Sequence, residues 1–368
     1  MTSLMRTAAC AVLSAAVLLL SACTGPPAAG DATVEDLGRP LSTADTEANP
    51  ISRDAGLSAA WSDSESLWLF GDTSQRNGPA FLPGTTAVLT AYTSGVVPTE
   101  MREVPTPPAP HLAGLTSPQP FLPTPRGLRI DEQRSCDGVS PYPAAWPTGL
   151  ARIPGTRSML IVYAEVCVKS ETDLPAQRLT LAVYDPATNV FTRTDTPFAA
   201  LSLPIAQRLG SPVFGADGLL YLFTHDVETG RIMLARTGGD PQAWADPRSY
   251  RWWDRGWTAD WERAASIVTV PFVNSLHVAD YPGRGLGMIV QTEFGSGRFQ
   301  IFTAGAPVGP WRPGPAGRVP GECGGSGYGC RAFNGHAELS TRDRFVLSWY
   351  SPGDLGGFGH VRLGEVAW

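Results

Sequence analysis

Two aspartates, Asp54 and Asp72, lie near the ends of the run Ser52 to Thr73, which reads SRDAGLSAAWSDSESLWLFGDT. Gly56 to Trp61 and Leu67 to Phe70 are small or apolar stretches parted by the polar turn Ser-Asp-Ser-Glu. This predicts an antiparallel pair in which Asp54 enters one strand and Asp72 leaves the other, so both carboxylates reach the same rim. Hydrolysis of a glycosidic bond uses such a pair. One protonated carboxyl serves the leaving oxygen, and one carboxylate activates water or attacks the anomeric carbon. Neighbouring negative charge raises one of the two pKa values, which lets an acid and a base coexist near neutral pH. The sequence leaves open which aspartate takes which role, and whether configuration is retained or inverted.

The elements that would position these groups recur along the chain. Five apolar strands of similar length end in a polar or ionisable group: SLWLFGD at Asp72, SMLIVYAE at Glu165, LLYLFTHD at His225 and Asp226, LGMIVQTE at Glu293, and FVLSWYS at Tyr350. Each is followed by a second short strand, with Gly, Pro, Asp and Asn at the turns, and helical periodicity is nearly absent. The strands lie roughly sixty to ninety residues apart, which predicts an all-β, five-bladed β-propeller with these five as its inner strands. Between Val97 and Arg126 the density of Pro predicts an extended excursion between the first two blades.

In such a fold, polar groups at equivalent strand ends converge on a central funnel. Glu165, His225 and Glu293 are therefore expected beside Asp72 as substrate-binding groups. His336, in Asn-Gly-His-Ala-Glu, is expected to begin the inner strand of the last blade and to bond a sugar hydroxyl or orient a carboxylate. Trp146 is expected to stack on a sugar face. Each has a structural alternative: the acids can bond blade-edge amides, the histidines can be satisfied core groups, and the tryptophan can pack between blades.

The N-terminus reads as a bacterial lipoprotein signal. Arg6 precedes an apolar stretch from Ala8 to Leu20, too short to span a bilayer, which ends in Leu-Ser-Ala-Cys at Cys23. The expectation is a signal peptide over 1–22, a lipidated Cys23 with a flexible tether over 23–49, and one propeller domain over 50–368. The product is expected to be a monomer on the extracytoplasmic face of the cell membrane. Removing the signal with Arg6 takes the formal net charge from −6 to −7, so the mature chain has no electrostatic attraction for nucleic acid and suits neutral cell-wall polysaccharide better. Cys136, Cys167, Cys323 and Cys330 remain for an oxidising compartment. The glycines of Glu-Cys-Gly-Gly-Ser-Gly-Tyr-Gly-Cys favour closing Cys323 with Cys330, which leaves Cys136 for Cys167. Neither pair has the spacing of a zinc site, so no metal and no cofactor is expected. No phosphate-binding glycine loop and no nucleophile elbow occurs.

The block as a whole, above all Phe-Gly-Asp-Thr at 70–73 and Arg-Asp-Ala-Gly at 53–56, resembles domain of unknown function 4185, grouped as glycoside hydrolase family 183. Gly-His-Ala-Glu-Leu-Ser at 335–340 and Ser-Trp-Tyr-Ser-Pro-Gly-Asp at 348–354 extend the likeness collinearly. The resemblance implies a five-bladed β-propeller and endo-acting cleavage of D-arabinofuranose chains in actinobacterial arabinogalactan or lipoarabinomannan, with Asp54 and Asp72 as the catalytic acids. Thr73 is followed by Ser74 where the family pattern has an aromatic residue. The alternative is a non-catalytic propeller lipoprotein that binds cell-wall glycan or a protein partner.

Overall fold

The computed structural model describes residues 31–368 apart from 77–78, 111–114, 131–133, 139–140, 170–175, 193–199, 202–208, 322, 324–328 and 353–358. The expected signal peptide, Cys23 and the first part of the tether lie outside the described residues.

Five antiparallel sheets form the blades of a β-propeller. Their innermost strands are Ser52–Ala60, Tyr142–Arg152, Gly210–Phe214, Leu276–Tyr281 and Arg331–Gly335, each touching the next so that the ring closes from the fifth back to the first. The apolar strands singled out in the sequence are the second strands of the blades: Glu65–Ser74, Met159–Val168, Leu220–His225, Gly285–Gln291 and Arg344–Ser351. This corrects the expectation that they line the axis.

The reason lies in the packing. A second strand is covered on both faces by neighbouring blades, so its apolar residues run consecutively rather than alternating with polar ones. Leu67 and Leu69 face the second blade, where Met159 and Ile161 meet them, whereas Trp68 and Phe70 pack with Val346 and Val361 of the fifth. The same division gives five interblade cores, one at each junction. Innermost strands crowd around an axis and are built from small, polar or kinked residues, as in Ser-Arg-Asp-Ala-Gly and Arg-Ala-Phe-Asn-Gly. Their hydrophobic signal is correspondingly faint.

The boundary at residue 50 also moves. Glu35–Gly38 pairs antiparallel with His360–Ala367 as the outermost strand of the fifth blade, and Val34 enters the core between blades four and five. Residues 31–49, expected to belong to the tether, are thus part of the domain. The first described strand thus covers the edge of the last, tying the two ends of the chain together in the fifth blade. The Pro-rich excursion contributes the short outer strand Arg102–Glu103 to the first blade and buries Phe121 and Leu122 between blades one and two. Both expected disulfides, Cys136–Cys167 and Cys323–Cys330, are formed.

Candidate active site

The first innermost strand is not regular where Asp54 sits. Its register with Glu65–Ser74 shifts on both sides of Ala55. Ala55 has φ 63° and Gly56 φ 114°, both in the left-handed region. A bulge of this kind bends the strand and re-aims the side chain beside it. At Gly56 a Cβ would lie 2.9 Å from a Val361 methyl, so the close approach of the fifth blade requires glycine there. Arg53 turns the other way, into the protein, where it pairs with Glu103 at 2.6 and 2.7 Å and lies over the Phe70 ring at 4.6 Å. Thus Arg-Asp-Ala-Gly encodes a buried anchor, a rim carboxylate and the bulge between them.

Phe-Gly-Asp-Thr supplies the opposing group. Phe70 is buried in an interblade core, and Gly71 lies beneath Asp54, where a Cβ would be 3.6 Å from the Asp54 Cβ. Thr73 is buried and its hydroxyl bonds the Thr86 hydroxyl and the Gly71 carbonyl. Asp72 accordingly stands beside Asp54, as the strand pairing predicts.

Each carboxylate is held by a different set of donors. Asp54 Oδ2 accepts from the Arg331 guanidinium at 2.7 Å, and its Oδ1 accepts from the Ala55 amide at 2.8 Å. Arg331 begins the innermost strand of the fifth blade, stacks on the Tyr350 ring at 3.8 Å and precedes Ala332, whose φ of 54° repeats the backbone turn at Ala55. Asp72 Oδ1 accepts from the Gly84 amide at 2.7 Å and from the Trp146 indole at 2.9 Å, and Oδ2 accepts from the Tyr142 hydroxyl at 2.9 Å. Burial raises the Asp72 carboxyl above the ordinary carboxylate range; these donors pull the other way, and the charge of Asp54 adds to the rise.

Of the sequence-predicted groups, Asp54, Asp72 and Trp146 come together, with Trp146 as a hydrogen-bond donor to Asp72 rather than only a flat surface. The other four stand elsewhere. Glu165 pairs with Arg178 at 2.5 Å and accepts from Thr180, both on the third strand of its own blade. Glu293 is exposed and lies 3.6 Å from Arg298. His225 is buried at the end of a second strand, paired in register with Ile232. His336 follows the innermost strand instead of beginning it: fully buried, it stacks on Trp68 at 4.6 Å and meets Ser58 Oγ at 2.6 Å through Nδ1.

Sequence reasoning missed Arg331 and Tyr142. Arg331 sits four residues before the noted Gly-His-Ala-Glu-Leu-Ser motif, and its signal is a cation directly after Cys330 at the head of that segment. Tyr142 has a fainter one, an aromatic between two prolines just before Trp146. Among the described residues no cluster of His, Cys, Asp and Glu could hold a metal ion.

No protein-family model matches the chain, and no curated protein matches it in sequence. Among solved structures it is similar to a protein of Bacteroides ovatus ATCC 8483 with a provisional hydrolase assignment, at TM-score 0.59 and 14% identity over 90% of this chain and 93% of that one. It is also similar to an exo-β-1,3-galactanase from Phanerochaete chrysosporium, at TM-score 0.50 and 10% identity over 90% of this chain and 64% of that one. A family 117 glycoside hydrolase from Zobellia galactanivorans matches at TM-score 0.49 and 9% identity over 90% of both chains. At such identities the likenesses at TM-scores of 0.59 and 0.50 show a shared fold alone, the five-bladed β-propeller described above.

Proposed function

We propose that this protein is a glycoside hydrolase that cleaves internal arabinofuranosyl linkages of cell-wall arabinan, with Asp72 as general acid and Asp54 as its partner carboxylate. The observation that carries the reading is the unequal pair on one rim: Asp72, half-buried under three donors, is shifted toward its protonated form, whereas Asp54, half-buried too, is ion-paired to Arg331. Environments that push two neighbouring carboxyls apart are how acid and base are divided at a glycosidic bond. Asp72 gives its proton to the departing glycosidic oxygen. Asp54 works at the anomeric carbon, as base toward water or as nucleophile. Trp146, Tyr142 and the Gly84 amide keep the Asp72 carboxyl in one orientation, and Arg331 does the same for Asp54.

The arabinan substrate rests on the resemblance of the Arg-Asp-Ala-Gly and Phe-Gly-Asp-Thr segments to glycoside hydrolase family 183. Lipidation at Cys23 would hold the domain at the outer face of the membrane, within reach of the wall. Incubation of residues 24–368 with actinobacterial arabinogalactan, followed by chromatography of the products, tests the reading. Oligo-arabinosides from the wild type and none from Asp72→Asn are expected. Glycan binding without products would favour a binding propeller, and arabinose alone would mean exo-acting cleavage.

A further inference from the structure

The two disulfides stand next to the side chains that hold the two carboxylates. Cys330 is the residue before Arg331, the partner of Asp54. Cys167 is paired in register with Pro143, the residue after Tyr142, which bonds Asp72. Cys330 is fully buried and doubly tied to the fourth blade: its amide donates to the Gly295 carbonyl at 3.2 Å, and its carbonyl accepts from Gln291 Nε2 at 2.9 Å. Gly329 and Gly295 approach so closely that a Cβ on Gly329 would lie 2.3 Å from the Gly295 Cα. Arg331 therefore leaves a clamped point, is turned by the left-handed Ala332 and stacks on Tyr350 before it reaches Asp54. A guanidinium on a long, rotamer-rich side chain loses its pre-organisation when the backbone that launches it is freed.

From this we infer that the Cys323–Cys330 disulfide is a positioning element of the site, acting through Arg331 on Asp54, with Cys136–Cys167 playing the corresponding part for Tyr142 and Asp72. The inference rests on the proposed hydrolase reading for its activity readout and on geometry alone for its structural one. Carboxylate placement is sensitive: a misplacement of about 1 Å costs up to about a hundredfold in rate.

The test is a double-mutant cycle on residues 24–368. Cys323→Ser opens the bond at its less buried end and introduces no new side chain at the buried Cys330 position. With arabinogalactan as substrate, Cys323→Ser is expected to lower kcat by about tenfold with KM within about twofold, while the cooperative thermal unfolding transition is kept. In an Arg331→Gln background the same substitution is expected to cost less than about twofold, because the group through which it acts is gone. Equal losses in both backgrounds, or none in the wild type, would overturn the inference. Nitrogen-15 side-chain NMR gives an activity-independent reading of the same contact. Slow guanidinium rotation of Arg331 is expected in the oxidised protein and averaged signals in Cys323→Ser. That change in a protein without turnover would sink the hydrolase reading and leave the brace standing, whereas identical Arg331 spectra would remove the brace whatever the activity. Cys136→Ser serves as the cross-control and is expected to leave the Arg331 signals unchanged.

Discussion

Asp54 and Ser58 lie four residues apart on one innermost strand, and their surroundings differ in kind. At the Asp54 end, two carboxylates share a rim, side chains from the second and fifth blades hold them, and Asp54 and Arg331 stay about a quarter and a fifth exposed, at 27% and 19%. At the Ser58 end, the Ser58 hydroxyl bonds Glu338 and His336 Nδ1, His336 stacks on Trp68, and His277 Nδ1 accepts the Gly335 amide at 3.3 Å. Ser58, His277 and His336 are buried. Both ends bring together titratable groups whose pKa values burial displaces, yet at the Ser58 end the two histidines are sealed from solvent and only Glu338 keeps partial exposure. Displaced titration alone does not mark a site; displaced titration on an accessible rim with its donors already in place does.

The largest effect that can break this comparison is catalytic. Asp72→Asn is expected to lower turnover of arabinogalactan by about a thousandfold or more with native unfolding behaviour, since the amide cannot deliver a proton. Glu338→Gln, an equally conservative change at the other end, is expected to leave kcat within about threefold. Measured side by side, comparable losses in both variants would mean that the two ends are not functionally distinct.

A thermodynamic experiment sharpens the contrast. Burial pushes the Glu338 carboxyl up to about 7, against the bond from Ser58, which pulls it down. A carboxyl bound more tightly to its proton in the native state adds stability that is fully present below its unfolded value near 4.5 and is lost as pH rises through about 7. Burial moves His277 in the opposite sense, down to about 4, so its contribution is present above its unfolded value near 6.5 and is lost as pH falls toward 4. Between these limits the two oppose each other and the wild type hides both. Urea denaturation across pH 4.5 to 7.5 is expected to show the stability of wild type minus Glu338→Gln falling by roughly 2 to 3 kcal/mol. A flat difference would mean that Glu338 is an ordinary solvated carboxylate.

Much of this architecture was legible because apolar strands announce themselves. The second strands, apolar on both faces, revealed the number of blades, and the turn between Trp61 and Leu67 placed Asp54 and Asp72 on one rim. The same loudness misdirected the rest. Glu165, His225 and Glu293 terminate strands of matching pattern, but a pattern reports burial between blades, not direction toward the axis, and Glu165 in fact faces a salt bridge within its own sheet. His336 was legible as special and not as buried, because its environment is made by Ser58 and Trp68, almost three hundred residues away in sequence. Arg331 and Tyr142 acquire their meaning only when the ring closes. Residues 31–49 look like a linker in composition, and a single short strand, Glu35–Gly38, paired to the far end of the chain makes them part of the fold.

The smallest expected effect lies at Gly84, which joins the rim to the blade beside it. Its amide donates to Asp72 Oδ1, its φ is +87°, and a Cβ there would stand 3.3 Å from both the Ala145 nitrogen and the Ala145 oxygen. Thr85 ties the same backbone down by bonding the Ala145 carbonyl at 2.7 Å. Gly84→Ala therefore meets strain from the left-handed backbone together with pressure on the strand that carries Trp146, for a cost of about 1 to 2 kcal/mol. If the segment yields by a few tenths of an ångström, two of the three donors to Asp72 shift together. Stability and turnover should then fall in the same variant, with kcat down by about three- to tenfold and the melting temperature lowered by a few degrees. Gly95→Ala has the same positive φ, at 76°, and open space around its Cβ, so it pays for the backbone strain without touching the site. A loss of turnover in Gly84→Ala that Gly95→Ala does not share would locate the effect in the Asp72 donors, and equal behaviour in the two would assign it to the backbone alone.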